Sequence, residues 1–209
     1  ITGNYLEKAN HVALTASPSD TATIISSTAT QLVIKMPASA VPASKITVYN
    51  DAGGTTSTFS LTNMDQQLKL FTEDYGPGMQ DWSWSSSSKS TDFAASGITS
   101  LKEKFSAGGS QGLSFHSDDP MVLSNYQNLS FWVKGGSADN TISIAPDAVN
   151  SGTPPATAPT IAVPATVWTH FTLSMTLFTG VTCQRFNFQI KGPDADQTLY
   201  FDNVILVKN

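Results

Sequence analysis

Three stretches of this chain combine side chains able to hold a ligand. The first is RFNFQIKG (185–192). Side chains alternate across a strand, so Phe186, Phe188 and Ile190 take one face and Arg185, Asn187, Gln189 and Lys191 the other. The second is GLSFHSD (112–118), where Leu113 and Phe115 point inward and Ser114 and His116 outward. The third is LFTEDYGPGMQDWSWS (70–85), in which Trp82 and Trp84 stand two apart and share a face on a regular strand. If the first two strands lie in one sheet, Arg185, Asn187, Gln189 and His116 line a single trough. Aromatic planes beside planar hydrogen-bonding groups suit a ring with apolar C–H faces and a polar rim, such as a pyranose. Two alternatives stay open: the row is an ordinary solvated sheet face, and the tryptophans are a hydrophobic seal under the Gly-Pro-Gly turn. Tyr75, beside a loop, is expected at the rim. Trp132, next to Phe131 in a solid apolar run, reads as core, and Trp168 as packing at a sheet edge.

Covalent chemistry has less to work with. Glycoside hydrolysis needs two facing carboxylates, and the outward row carries none. Asp118-Asp119 precedes Pro120 and reads as turn chemistry. The sequence has no nucleophile elbow, phosphate loop or His/Cys spacing for zinc. Cys183 is the single cysteine, so an intrachain disulfide is excluded, and it reads as a small core residue.

The elements that must position these residues are strands. Only 13% of the 209 residues are charged, against 40% hydrophobic, and Ser and Thr supply much of the polar share. Thr fits a pleated surface better than Lys or Glu does. In the first part HVALTA (11–16), TATIISS (21–27), QLVIKMP (31–37), KITVYND (45–51) and TSTFSLTN (56–63) recur at the spacing of a small sandwich. Asp51 to Gly54 reads as a hairpin turn. From residue 67 the runs lengthen: LKLFTEDY (68–75), DWSWSS (81–86), SLKEKFSA (100–107), GLSFHSD, NLSFWVKG (128–135), TISIAPD (141–147), VWTHFTLSM (167–175), RFNFQIKG and LYFDNVILV (199–207). This pattern suits a two-sheet jelly roll. A boundary falls near Thr62–Gln67, and SGTPPATAP (151–159) is a loop within the second domain. The fold class is therefore all-β, an immunoglobulin-like sandwich at 1–63 followed by a jelly roll at 67–209.

The net charge is −5 and the chain lacks a basic stretch, so nucleic acid is excluded as the expected partner. No apolar run approaches the ~20 residues of a membrane span. The chain opens in mid-pattern and reads as a mature or trimmed fragment.

Residues 1–63 resemble the IPT/TIG immunoglobulin-like domains, through ITGNYL, STATQLVIKMP and KITVYNDAGGTTSTFSL. That resemblance implies a spacer, and a first domain incomplete at its N-terminus because a strand usually precedes ITG; the exposed candidates there, Tyr5 and His11, read as packing or surface residues. Residues 67–209 resemble the calcium-containing jelly-roll carbohydrate-binding modules, through LFTEDYGPGMQDWSWS, YQNLSFWVKGG, VWTHFTL and LYFDNVIL. Thr72 and Met79 depart from that pattern, where an Asp and a Trp are often seen. The resemblance implies a structural calcium ion pinning the first strand to the last, with Glu73, Asp74 and Asp202 as its ligands. The other reading is that Asp74 caps a turn and Asp202 bonds to backbone amides. Together these imply a monomeric, secreted or bacterial cell-surface protein that binds a neutral, β-linked polysaccharide without catalysis. It would work beside other outer-membrane glycan-uptake proteins. The rival readings are an appendage of a polysaccharide-degrading enzyme and an adhesive module for protein partners.

Overall fold

The computed structural model describes residues 1–38, 41–147, 158–178 and 182–209. It is all-β, as the alternation requires. The chain divides into two compact units, Ile1–Gln67 and Leu68–Asn209.

The first unit holds β1 (His11–Leu14), β2 (Ser17–Thr21), β3 (Thr23–Ser27), β4 (Leu32–Lys35), β5 (Ala43–Ser44), β6 (Ile46–Asn50), β7 (Gly53–Thr56) and β8 (Leu61–Thr62). One sheet runs β2-β1-β6-β7, and β3-β4 and β5-β8 form separate antiparallel pairs. Val12, Leu14, Leu32 and Ile46 make a small core. The β6–β7 hairpin turns at the expected glycines, and Gly53 takes a φ of 137°, which side-chain-bearing residues avoid. Tyr5 is exposed and His11 packs its ring beside Tyr49.

The second unit holds β9 (Leu68–Phe71), β10 (Met79–Asp81), β11 (Ser86–Ser90), β12 (Ser100–Phe105), β13 (Ser110–Val122), β14 (Tyr126–Lys134), β15 (Asn140–Asp147), β16 (Thr160–Val163), β17 (Trp168–Ser174), β18 (Thr182–Lys191) and β19 (Gln197–Lys208). A five-stranded sheet runs β10-β13-β18-β15-β16. The other runs β11-β12-β19-β14-β17, with β9 also paired to β19. Between them lies a core rich in phenylalanine, where Phe188 meets Phe115, Phe131 and Phe201 edge-on at centroid separations of 5.1–5.8 Å. Residues 151–157 of the expected loop lie outside the described residues.

None of the four tryptophans belongs to the buried core. This corrects the expectation for Trp132. Along β14, Leu129, Phe131 and Val133 are buried while Ser130, Trp132 and Lys134 are not, so the strand is buried on one face only. The apolar run arises because an aromatic happens to occupy the outer face as well.

Candidate functional site

The site begins with the pairing of β13 and β18. His116 stands opposite Arg185, Ser114 opposite Asn187 and Gly112 opposite Gln189. Phe186, Phe188 and Ile190 point into the core, so the row Arg185, Asn187, Gln189 lies on the outer face of this sheet, with His116 beside it. On the other side of β18, β15 adds Asp147 opposite Arg185.

The tryptophans come from the adjoining edge. Met79 to Asp81 pair with Ser117 to Phe115, and the next residues keep the ladder, with Trp82 N–H donating to the Ser114 carbonyl and Trp84 N–H to that of Gly112. Gln80, Trp82 and Trp84 therefore share the outer face with His116, Ser114 and Gly112. The Trp82 indole stacks on the His116 imidazole, centroids 3.7 Å apart and planes 7° apart. The Arg185 guanidinium carbon lies 5.7 Å from the same indole. Trp82 Nε1 donates to Gln80 Oε1 at 2.9 Å, and Gln80 Nε2 donates to Asp118 Oδ1. Stacked and hydrogen-bonded, Trp82 is still 41% exposed. Trp84 lies over Gly112, where a Cβ would fall 2.5 Å from its Cζ2, and its Nε1 donates to the Ser110 carbonyl. A glycine is needed there because any side chain would displace the indole.

Two expectations are corrected. Arg185, Asn187 and Gln189 are on the expected face but are only 9%, 1% and 3% exposed. They do not form an open row. Arg185 pairs with Asp147 at 2.7 Å, Ser114 Oγ donates to Asn187 Oδ1, and Gln189 Nε2 donates to Ser110 Oγ. They brace the floor beneath the indoles. Asp147 also means that the face does carry a carboxylate, one held in a buried ion pair. Tyr75 is not a rim residue. Its ring packs against Phe71 and Phe115, and its hydroxyl is buried. Burial raises the pKa of this phenol.

The carboxylates expected around calcium are each engaged by nitrogen donors. Asp74 turns to Lys89 at 2.9 Å and caps Tyr75 N–H. Glu73 accepts the N–H groups of Ile98 and Thr99, and Asp202 those of Ala95, Ser96 and its neighbour Asn203. Each of these oxygens already faces an N–H donor, whereas calcium needs 6–8 oxygen ligands. Among the described residues no three acidic, His or Cys side chains gather as a metal site. Gly97 closes the arrangement, since a Cβ there would collide with the Glu73 carboxylate. Burial pushes the Asp202 carboxyl up.

Glu103 escaped the sequence reading. It is fully buried between the sheets and accepts a hydrogen bond from the Ser85 hydroxyl at 2.5 Å. Burial pushes its pKa up to about 7. Such a shift often marks a catalytic acid, but a closed interior gives substrate no access. Its signal was present: Leu101, Glu103 and Phe105 alternate, so Glu103 had to face inward with them.

No family model and no curated protein matches the chain. Among solved structures it is similar to a CBM29-2 variant complexed with mannohexaose, at 11% identity over 67% of this chain and 88% of that one, TM-score 0.47. Another variant, complexed with cellulohexaose, gives 12% identity, 67% and 89% coverage and a TM-score of 0.48. A carbohydrate-binding module of family 29 gives 12%, 67%, 85% and 0.47. With these identities and TM-scores below 0.5 the likenesses are distant, and the site stands on its own residues.

Proposed function

We propose that the second unit is a non-catalytic module binding a neutral polysaccharide, with Trp82 as its stacking platform and Trp84 extending it. The observation that carries this reading is the Trp82 indole, fixed by His116 and Gln80 while keeping a large exposed surface. A preorganised aromatic plane loses little freedom when a sugar face settles on it. Gln80 and Asp118, both exposed beside the ring, supply polar contacts for the hydroxyl rim. Trp82, Trp84 and their polar neighbours are the contacts, while His116, Arg185, Asn187 and Gln189 hold them in place. The first unit acts as an IPT/TIG-type spacer, because among the described residues its exposed aromatics, Tyr5, Tyr49 and Phe59, are not joined by a comparable hydrogen-bonded row. The setting is a secreted or cell-surface protein acting on glycans. No helix of the described residues is long and apolar enough to cross a membrane.

The test is retardation in gels carrying soluble β-linked glycans such as mannans and glucans. At least one should slow the parent, and Trp82→Ala should migrate unretarded. Unretarded migration of the parent through the whole panel, with release of sugars or capture of a protein instead, would overturn the reading.

A further inference from the structure

The opposite sheet carries a second aromatic face. On β14 the outward residues are Ser130, Trp132 and Lys134. Trp132 stands opposite His170 on β17, and Lys134 opposite Trp168 on β17 and Tyr200 on β19. Lys102 on β12 stands opposite Tyr200. Lys102, Tyr200, Lys134 and Trp168 therefore form one row across four adjacent strands, in which Tyr200 is only 7% exposed and forms the floor. Three interstrand steps of about 4.8 Å make roughly 14 Å, the reach of a short oligosaccharide. The next row places Trp132 beside His170, rings 4.9 Å apart, and Ser130 Oγ lies 2.9 Å from His170 Nε2. Phe93, 46% exposed, packs at the middle of the first row, edge-on to Tyr200 and with the Lys134 ammonium 4.5 Å from its ring centre.

Two features say what this face takes. The rings are separated by polar side chains, Lys134 between Trp168 and Tyr200, and Ser130 and Thr172 next to Trp132 and His170. A protein interface core is apolar and poor in charge, so this checkerboard suits a ligand that is itself apolar on its faces and polar at its rim. The charge is also reversed. In a chain of net charge −5 this face presents Lys102, Lys104 and Lys134. Asp92 is already engaged by Lys102 at 2.6 Å, and Asp202 is buried against backbone N–H groups. Among the described residues Lys134 has no carboxylate partner.

We propose that this face is a second glycan site, for an acidic sugar, in which Trp168 and Trp132 stack on the rings and Lys134 receives the carboxylate of a hexuronate unit. It goes beyond the neutral-glycan reading of the Trp82 face, and since the two sites are on opposite sheets either can fail alone.

The experiment is calorimetric titration with a short oligogalacturonate and with the matching neutral galactan oligosaccharide. The acidic ligand binds the parent at least about tenfold more tightly than the neutral one. Trp168→Ala and Lys134→Gln each weaken it about tenfold, Trp168→Phe retains most of the affinity, and Trp82→Ala stays within about twofold. Raising salt from about 50 to 500 mM weakens binding several-fold, because the contact is between charges. Absence of binding heat for the oligogalacturonate overturns the proposal. So does equal affinity for the neutral ligand in Trp82→Ala, where the other face is removed, or loss of the acidic ligand on Trp82→Ala with Lys134→Gln unaffected. A change in sedimentation on Trp168→Ala without a change in sugar binding overturns it in favour of a protein on this face.

Discussion

The Trp82 indole, just past the end of β10, stacks on the His116 imidazole of β13 with centroids 3.7 Å apart and planes 7° apart. Stacking of this kind contributes about 0.5–1.5 kcal/mol beyond area burial, enough to hold a large side chain flat on an otherwise polar surface. His116→Ala should free the ring to leave the plane and reduce glycan affinity several-fold without unfolding the protein. His116→Phe should restore most of it. Unchanged affinity in the alanine variant would show that Gln80 alone fixes the indole.

Arg185 is a brace, and its removal should show in stability first. Its guanidinium meets Asp147 at 2.7 Å with both side chains about nine-tenths buried. Losing one member of a buried pair costs about 3–5 kcal/mol. Arg185→Ala should therefore lower the melting temperature of the second unit markedly. A variant that melts like the parent but fails to bind sugar would restore Arg185 as a direct contact.

Glu103 should make stability depend on pH. Its carboxyl has an ordinary value of 4.5 and is pushed up to about 7 in the fold. Below 4.5 both folded and unfolded chains hold the proton. As pH rises from there the unfolded chain ionises first, so stability falls until the folded form ionises near 7, a loss of roughly 3 kcal/mol. Glu103→Gln should remove that fall and be more stable than the parent at pH 8. Denaturant melts of both proteins from pH 4 to 8 check this. Parallel curves would contradict it.

Much of this was legible in the sequence, and the failures have a common cause. The alternation in RFNFQIKG places Phe186, Phe188 and Ile190 inward, and so fixes which face carries Arg185, Asn187 and Gln189. It cannot report what lies on top of them. That depends on the Trp82–Trp84 segment continuing the β10 ladder along β13, a long-range pairing with no local signature. Tyr75 was misplaced for the same reason: being near a loop in sequence says nothing of Phe71 and Phe115 closing on it. Glu103 is the exception, since the alternation of Leu101, Glu103 and Phe105 by itself turns it inward between two lysines.

The acidic pair Glu73 and Asp202 should hold the 95–99 segment without metal. Their oxygens accept five N–H groups, from Ile98, Thr99, Ala95, Ser96 and Asn203. Chelator should leave the melting temperature unchanged, while Asp202→Ala should cost about 1–3 kcal/mol for its lost acceptor. A drop of several degrees on adding chelator, reversed by calcium, would place an ion where the N–H groups now converge.

The central claim is that the exposed Trp82 face binds a neutral glycan. Calorimetric titration of the parent, Trp82→Ala and Trp82→Phe against the most retarding glycan of the gel panel tests it most directly. Trp82→Ala should bind at least tenfold more weakly, a loss of about 1.4 kcal/mol, with Trp82→Phe between the two, an unchanged melting temperature and little effect of salt. Equal affinity in all three folded proteins would contradict the account.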